Sequence, residues 1–298
     1  MKRIAHIVIS ALLILMLLSA AQAEESVKLE YKFTKGQVDK YRIGLNTSIK
    51  PNSIIDESFG NISSKASMVM TMKVLDVFPD GSARIQVNYS DFKFSAPETP
   101  PMNMGAEMFG KPITMTMTRE GRVLSVDGIN DMMSAMGLPG MDMTQLMGQM
   151  GYLGGEFPSI PVKVGQSWKQ VIPMPLFGGN MDLVSTLLAN DASVNNENVA
   201  KIKQTCRCSM DMSQIMKGIQ GAVQSQNNAR QVIPPISGNM DLSGWIVLYF
   251  SPAGGRLVKS NANMTVEMSM SIPMEAAEAQ NQLRMEFAME IKMDIARI

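Results

Sequence analysis

The sequence predicts a mainly β protein, built of long antiparallel strands in a curved or half-barrel sheet. Three observations carry this. The C-terminal run "LRMEFAMEIKMDIARI" places Met285, Phe287, Met289, Ile291, Met293 and Ile295 on alternate positions, with Arg284, Glu286, Glu290, Lys292 and Asp294 among the residues between. A helix would scatter those apolar side chains around its circumference, so a period of two reads as a strand with one wet face. The run "NANMTVEMSMSIPM" repeats the pattern with Met264, Val266, Met268, Met270 and Ile272. Turn signals with a physical basis, Pro79-Asp80-Gly81 and Glu120-Gly121, separate further alternating runs.

In chain order, residues 1–23 read as an export signal. Lys2 and Arg3 open it, an apolar run follows, and Ala21-Gln22-Ala23 supplies the small-x-small cleavage site. The expected product is periplasmic or extracellular, and no later segment reaches the roughly 20 apolar residues of a membrane span. Residues 24–298 are expected to form a single β-rich domain. "KLEYKF" and "GQVDKYRIGLNTSI" read as strands. "KASMVMTMKVLDVF" sets Met68, Met70, Met72 and Val74 on one face, and "ITMTM" does the same with Ile113, Met115 and Met117. "SGWIVLYF" (243–250) is apolar on both sides and predicts a strand covered on both. Pro-, Gly- and Asn-rich loops are expected at 96–112, 172–181 and 226–238.

Two stretches break the period of two. Met143, Leu146, Met147 and Met150 recur at helical spacing within 131–153, as do Ile215, Met216, Ile219 and Val223 within 211–226. Both predict short Met-rich amphipathic helices packed on the apolar face. Similar turns also recur: Gly36-Gln37 with Gly165-Gln166, and Gly121-Arg122 with Gly255-Arg256. These echoes predict either two duplicated halves, 27–128 and 158–298, joined by a helical connection at 129–157, or one long meander with similar turns.

Composition narrows the chemistry. Without residues 1–23, 25 basic residues face 27 acidic ones, which gives no electrostatic reason to expect nucleic acid as a partner. The one histidine, His6, lies in the signal, so the exported chain lacks the commonest general base and metal ligand. It has no G-x-S-x-G, P-loop or G-x-G-x-x-G after a strand. A non-enzymatic protein without a cofactor is expected.

Methionine remains. The chain holds 30, of which Met1 and Met16 fall in the signal. An unbranched, polarizable thioether fits irregular apolar shapes. These residues therefore form either an ordinary core or an adaptable face for an apolar small molecule or lipid. The candidate lining is Met68, Met70, Met72, Met115, Met117, Met143, Met147, Met264, Met268, Met270, Met285, Met289 and Met293. A soft-metal reading, Cu(I) or Ag(I), rests on Met102, Met104, Cys206 and Cys208, since thioethers and thiolates favour such ions. Cys206 and Cys208, two apart on a strand, are near the upper distance for a disulfide.

The opening "K-G-Q…Y" of Lys35, Gly36, Gln37 and Tyr41, followed by long alternating strands, resembles that of uncharacterised bacterial exported β-meander proteins. The pattern of the whole chain after the signal is also similar to the half-barrels of periplasmic lipoprotein carriers and lipid-binding proteins. That resemblance implies a sheet holding acyl chains beneath helices. It carries over no site residues, and the cleavage point lacks a lipid-anchor cysteine. The reading is an exported binding or carrier module for an apolar ligand such as a lipid chain. The alternative is a structural or interaction protein of the cell envelope.

Overall fold

The structure, a computed structural model, describes residues 26–53, 61–97, 112–128, 155–174, 179–211, 213, 237–273 and 282–298. Among them eleven strands form: β1 (Val38–Ser53), β2 (Ile62–Val77), β3 (Ala83–Ser95), β4 (Ile113–Met117), β5 (Val123–Asp127), β6 (Ser167–Met174), β7 (Gly179–Val194), β8 (Glu197–Asp211), β9 (Ser237–Ser251), β10 (Arg256–Pro273) and β11 (Gln282–Arg297). They make one antiparallel sheet in the order β5-β4-β3-β2-β1-β11-β10-β9-β8-β7-β6. The sheet is not closed, because β5 and β6 are its two edges.

The two runs of five strands share an order, with β11 between them. They also begin with the same turn. Gly36 N–H donates to Val74 C=O and Val74 N–H returns to Gln37 C=O, both at 2.9 Å. Gly165 N–H donates to Leu187 C=O and Leu187 N–H returns to Gln166 C=O, at 2.7 and 3.1 Å. Each glutamine side chain accepts a backbone N–H three residues earlier, from Thr34 and from Lys163. Gly36 and Gly165 have φ of 85° and 84°, a left-handed backbone where a Cβ is strained.

Two extended segments shape the sheet. Residues 27–33 and 155–162 pair with each other through Val27 and Val162. Tyr31 N–H donates to Arg119 C=O in the β4–β5 turn, at 2.6 Å, and Lys32 N–H to Gly255 C=O in the β9–β10 turn, at 3.0 Å. Along the sheet those hairpins are six strand spacings apart, roughly 29 Å at about 4.8 Å each. Both meet neighbouring residues of one segment, so the sheet is rolled at this end. Phe157 N–H donates to Glu120 C=O, and Trp168 Nε1 on β6 donates to Glu156 C=O. This ties the edge strand β6 toward the β4–β5 hairpin. The roll is plugged by rings: Phe157 lies 4.7 Å and Tyr31 5.2 Å, centroid to centroid, from Phe250, both edge-on. One core cluster contains Met117 and Val126 of the first run together with Leu187, Ile202 and Phe250 of the second.

Several expectations are corrected. The helices expected on the apolar face are not part of the described architecture, whose elements are all strands. Their residues, 131–153 and most of 211–226, lie outside the described residues, as do residues 1–23. Asp211, where the second helix was expected to begin, belongs to β8 and pairs with Asn239. Two extended segments, not helices, cover the plugged end, because their apolar side chains bury while their backbone bonds to hairpin ends. "KLEYKF" is one of these segments and not a ladder strand. The loop expected at 172–181 is largely strand: β6 runs to Met174 and β7 starts at Gly179. Pro173 fits there because β6 is an edge, where a missing N–H costs no ladder bond. "SGWIVLYF" is covered on one side only. Leu248 and Phe250 are buried, while Trp245 is 40% exposed on the other face.

Candidate functional site: a methionine-lined apolar face

Cross-strand registers place the strand methionines together. Met68, Met70 and Met72 on β2 stand opposite Ile43, Tyr41 and Asp39 of β1. Ile43, Leu45, Thr47 and Ile49 in turn face Ile295, Met293, Ile291 and Met289 of β11. These lead to Ser260, Ala262, Met264 and Val266 on β10, and Phe287 and Met285 lead to Met268 and Met270. Met115 and Met117 on β4 face Ile85 and Ala83 of β3. Eleven of the thirteen lining residues read from the sequence therefore share one face of one sheet. Met143 and Met147 lie outside the described residues, and so do Met102 and Met104.

The face has two parts. At the plugged end Met70, Met115 and Met117 are buried in the core, and Met72 and Met293 pack against it. Those five belong to the core or its margin. Toward the opposite rim the face continues through Met68, Met264, Met268, Met270, Met285 and Met289, all half-buried. Strands β1, β6, β8 and β10 end at this rim, where Ile49 faces Ile62, Asp211 faces Asn239 and Pro273 faces Gln282. From Leu45 to Pro51 the half-buried stretch is about 20 Å long at about 3.4 Å per residue. Beside these methionines the same face carries Leu45, Ile49, Phe287 and Met240. Each sits on an alternating run, but none stands out until the register puts it beside a methionine.

The other face is mainly polar, with Trp245, Val171 and Val184 exposed on it. Lys292, Glu290, Asn263 and Glu267 alternate outward, with Lys292 Nζ 3.1 Å from Glu290. A cavity of about 280 Å³ lies at the rim among Asn239, Asp241, Glu267, Ser269 and Glu286, reaching Met268 and Phe287. Its walls are mostly polar-face residues, and it touches the methionine stretch at Met268 and Phe287.

A charged pair, Asp39 and Arg297, stands on the apolar face among the described residues. Asp39 is buried at the plugged end, where Arg297 Nε donates to it at 2.9 Å and Gln37 Nε2 at 2.5 Å. Paired and hydrogen-bonded, it meets the condition for a buried charge. Beside it, burial and then the Asp39 carboxylate push the Tyr41 phenol far above its ordinary range. Its hydroxyl donates to Leu257 C=O at 3.2 Å.

Cys206 and Cys208 are free thiols, both buried on the apolar side of β8. Burial is the main cause that raises each above the usual thiol range. They belong to a second cluster with Ile172, Leu183 and Met210, packed against Met181, Met240, Leu242 and Met264. Among the described residues no group of three or more His, Cys, Asp or Glu is arranged to hold a metal. No described helix is long and apolar enough to cross a membrane.

Residues 63–156, just under a third of the chain, match the model of a family of unknown function, DUF6263. No curated protein matches the chain. Eleven solved chains do. One is a structure of lipid–protein interactions in lipovitellin, 9% identical, with a TM-score of 0.42 over 90% of this chain. The match takes in 25% of that neighbour, so this chain spans about a quarter of its length.

Proposed function

We propose that the protein is an exported, non-enzymatic binding or carrier module for an apolar ligand of the lipid-chain class. The observation that supports this is the half-buried stretch of the apolar face. Past the aromatic plug the rolled sheet still presents Met68, Met264, Met268, Met270, Met285 and Met289 together with Phe287. A sheet that needed only a core would end its apolar pattern where the cover formed by the described residues 27–33 and 155–162 ends. Here the alternation continues to the rim on β1, β11, β10 and β9.

The chemistry suits a chain-like ligand. Each methylene taken from water onto such a face contributes about 0.8 kcal/mol. Unbranched thioether side chains repack around ligands of different length and unsaturation. Export, read from residues 1–23, places such a module in the cell envelope or outside the cell.

The test is direct. Protein purified without detergent is extracted with organic solvent, and the extract is analysed by mass spectrometry for stoichiometric lipid. A fluorescent acyl chain, parinaric acid, is then titrated into the delipidated protein. Co-purifying lipid and saturable probe binding support the reading. An extract without lipid, together with no saturable binding, overturns it.

A further inference from the structure

The second core cluster differs from the first in its atoms. Of its nine members, six carry sulfur: Cys206, Cys208, Met181, Met210, Met240 and Met264. The register shows how they meet. Cys208 stands directly opposite Met181 on β7. Cys206 stands opposite Gly244 on β9, and Gly244 stands opposite Met264 on β10. A Cβ on Gly244 would meet Met264 Cγ at 2.9 Å, so the Met264 side chain lies over the glycine and leans toward Cys206. Met210 and Met240 face each other one step along.

We propose that this cluster is a binding site for a soft monovalent cation, Cu(I) or its surrogate Ag(I). The thiolates of Cys206 and Cys208 are its anionic ligands, and the thioethers of Met181 and Met264 complete it. The donor set is purely sulfur, which selects soft ions over zinc, calcium or magnesium. Cys208 and Met181, directly opposite on paired strands, have Cβ atoms about 5 Å apart, and Met264, two strand spacings of about 4.8 Å from Cys206, reaches toward it across the bare backbone of Gly244. The two cysteines are roughly 7 Å apart along β8, near the limit for a disulfide, so the fold favours two separate thiols. The half-buried Met181 and Met264 leave the cluster an approach from the rim. Each thiol that binds releases its proton to solvent. Copper enters and stays as Cu(I), with no electron transferred.

The site meets the lipid-chain stretch at Met264, while the two cysteines and Met181 lie on β7 and β8, away from β1 and β11, so loss of copper in C206S/C208S with probe binding intact tells the two apart. The purified protein, reduced and kept anaerobic, is titrated with Cu(I) in acetonitrile and then desalted. Bound copper is counted by elemental analysis, and a thiolate-to-copper charge-transfer band is followed in the ultraviolet. One retained equivalent with that band is expected. The C206S/C208S variant is expected to lose both, and M181L/M264L, close in volume, to hold the ion several-fold more weakly. Circular dichroism checks the sheet in each variant. If C206S/C208S does not fold, M181L/M264L decides alone. No retained copper in the parent protein, or undiminished retention in a folded variant, overturns the site.

Discussion

The proposed division of the apolar face into a structural and a ligand-lining part is tested by two truncations of the same residue type. Met115 is 1% exposed, held between Ile85 on β3 and Val126 on β5. Met115→Ala removes a fully buried side chain from a packed core, where such changes cost about 2–5 kcal/mol. In a domain of this size each kcal/mol lowers Tm by about 2–4 °C, so a mid-range loss of about 3 kcal/mol lowers it by roughly 6–12 °C. Met289 lies between Ile49 and Val266 but is only half-buried. Met289→Ala removes less protected area and is expected to cost about 1 kcal/mol. The order reverses for binding. Losing one apolar side chain from a ligand contact weakens affinity roughly tenfold, so parinaric acid binding falls in M289A and is unchanged in folded M115A. Thermal denaturation followed by circular dichroism gives the first comparison, and probe titration gives the second. Equal Tm losses, or a binding defect confined to M115A, would show that the face is not divided in this way.

Other outcomes follow from named contacts. Gly255→Ala places a Cβ 2.3 Å from Lys32 N, at a point where segment 27–33 bonds to the β9–β10 turn. It is expected to loosen that segment, read as faster amide exchange at Lys32 and a lower Tm. Arg297→Ala leaves the Asp39 carboxylate with only Gln37 among the described residues and is expected to cost roughly 1.5–3 kcal/mol in urea unfolding. The side-chain hydrogen bond from Lys35 holds Asp76, and that from Ser82 holds Asp80, below the usual carboxylate range. A folded value below the unfolded one stabilises above about pH 4, and that contribution is lost as pH falls through the folded value. Tm should therefore decline on acidification, and less steeply in D76N/D80N. Cys206 and Cys208 shift the other way, so their contribution is present below about pH 8.5 and lost as pH rises through the thiol range. Both should resist thiol alkylation in the folded protein and react in urea.

The strands were legible because alternation is local. In β11 and β10 the period of two names both the element and its apolar face, and their mutual pairing follows from adjacency. The turns at Gly36 and Gly165 were legible for the same reason, since a left-handed residue and a glutamine three positions after its backbone partner are written in a few consecutive letters. The pairing of β1 with β11, more than two hundred residues apart, has no local trace. The helical spacing in 131–153 and 211–226 falls almost wholly outside the described residues, Asp211 being strand, and period alone does not say what a segment packs against. "SGWIVLYF" misled in another way: Trp245 and Val247 look like core residues, yet their side of the sheet faces Asn263, Thr205 and Lys203.

The soft-metal candidates show the same limit. Met102 and Met104 drew attention because they stand two apart in one loop, whereas Met181 and Met264 have no sequence relation to Cys206 or Cys208. Only the lateral order of β7, β8, β9 and β10 makes them neighbours, and the bare backbone at Gly244 matters only once Met264 is known to lie across it.

What the sequence by itself determined was the strand-rich character, the wet and apolar sides of individual strands, and the expectation of export, because each depends on spacing within a short run. The rolled sheet, its aromatic plug, and the separation of buried from half-buried methionines were decided by tertiary structure. Burial is a property of which distant segment lies over a residue, and Met115 and Met289 differ only in that.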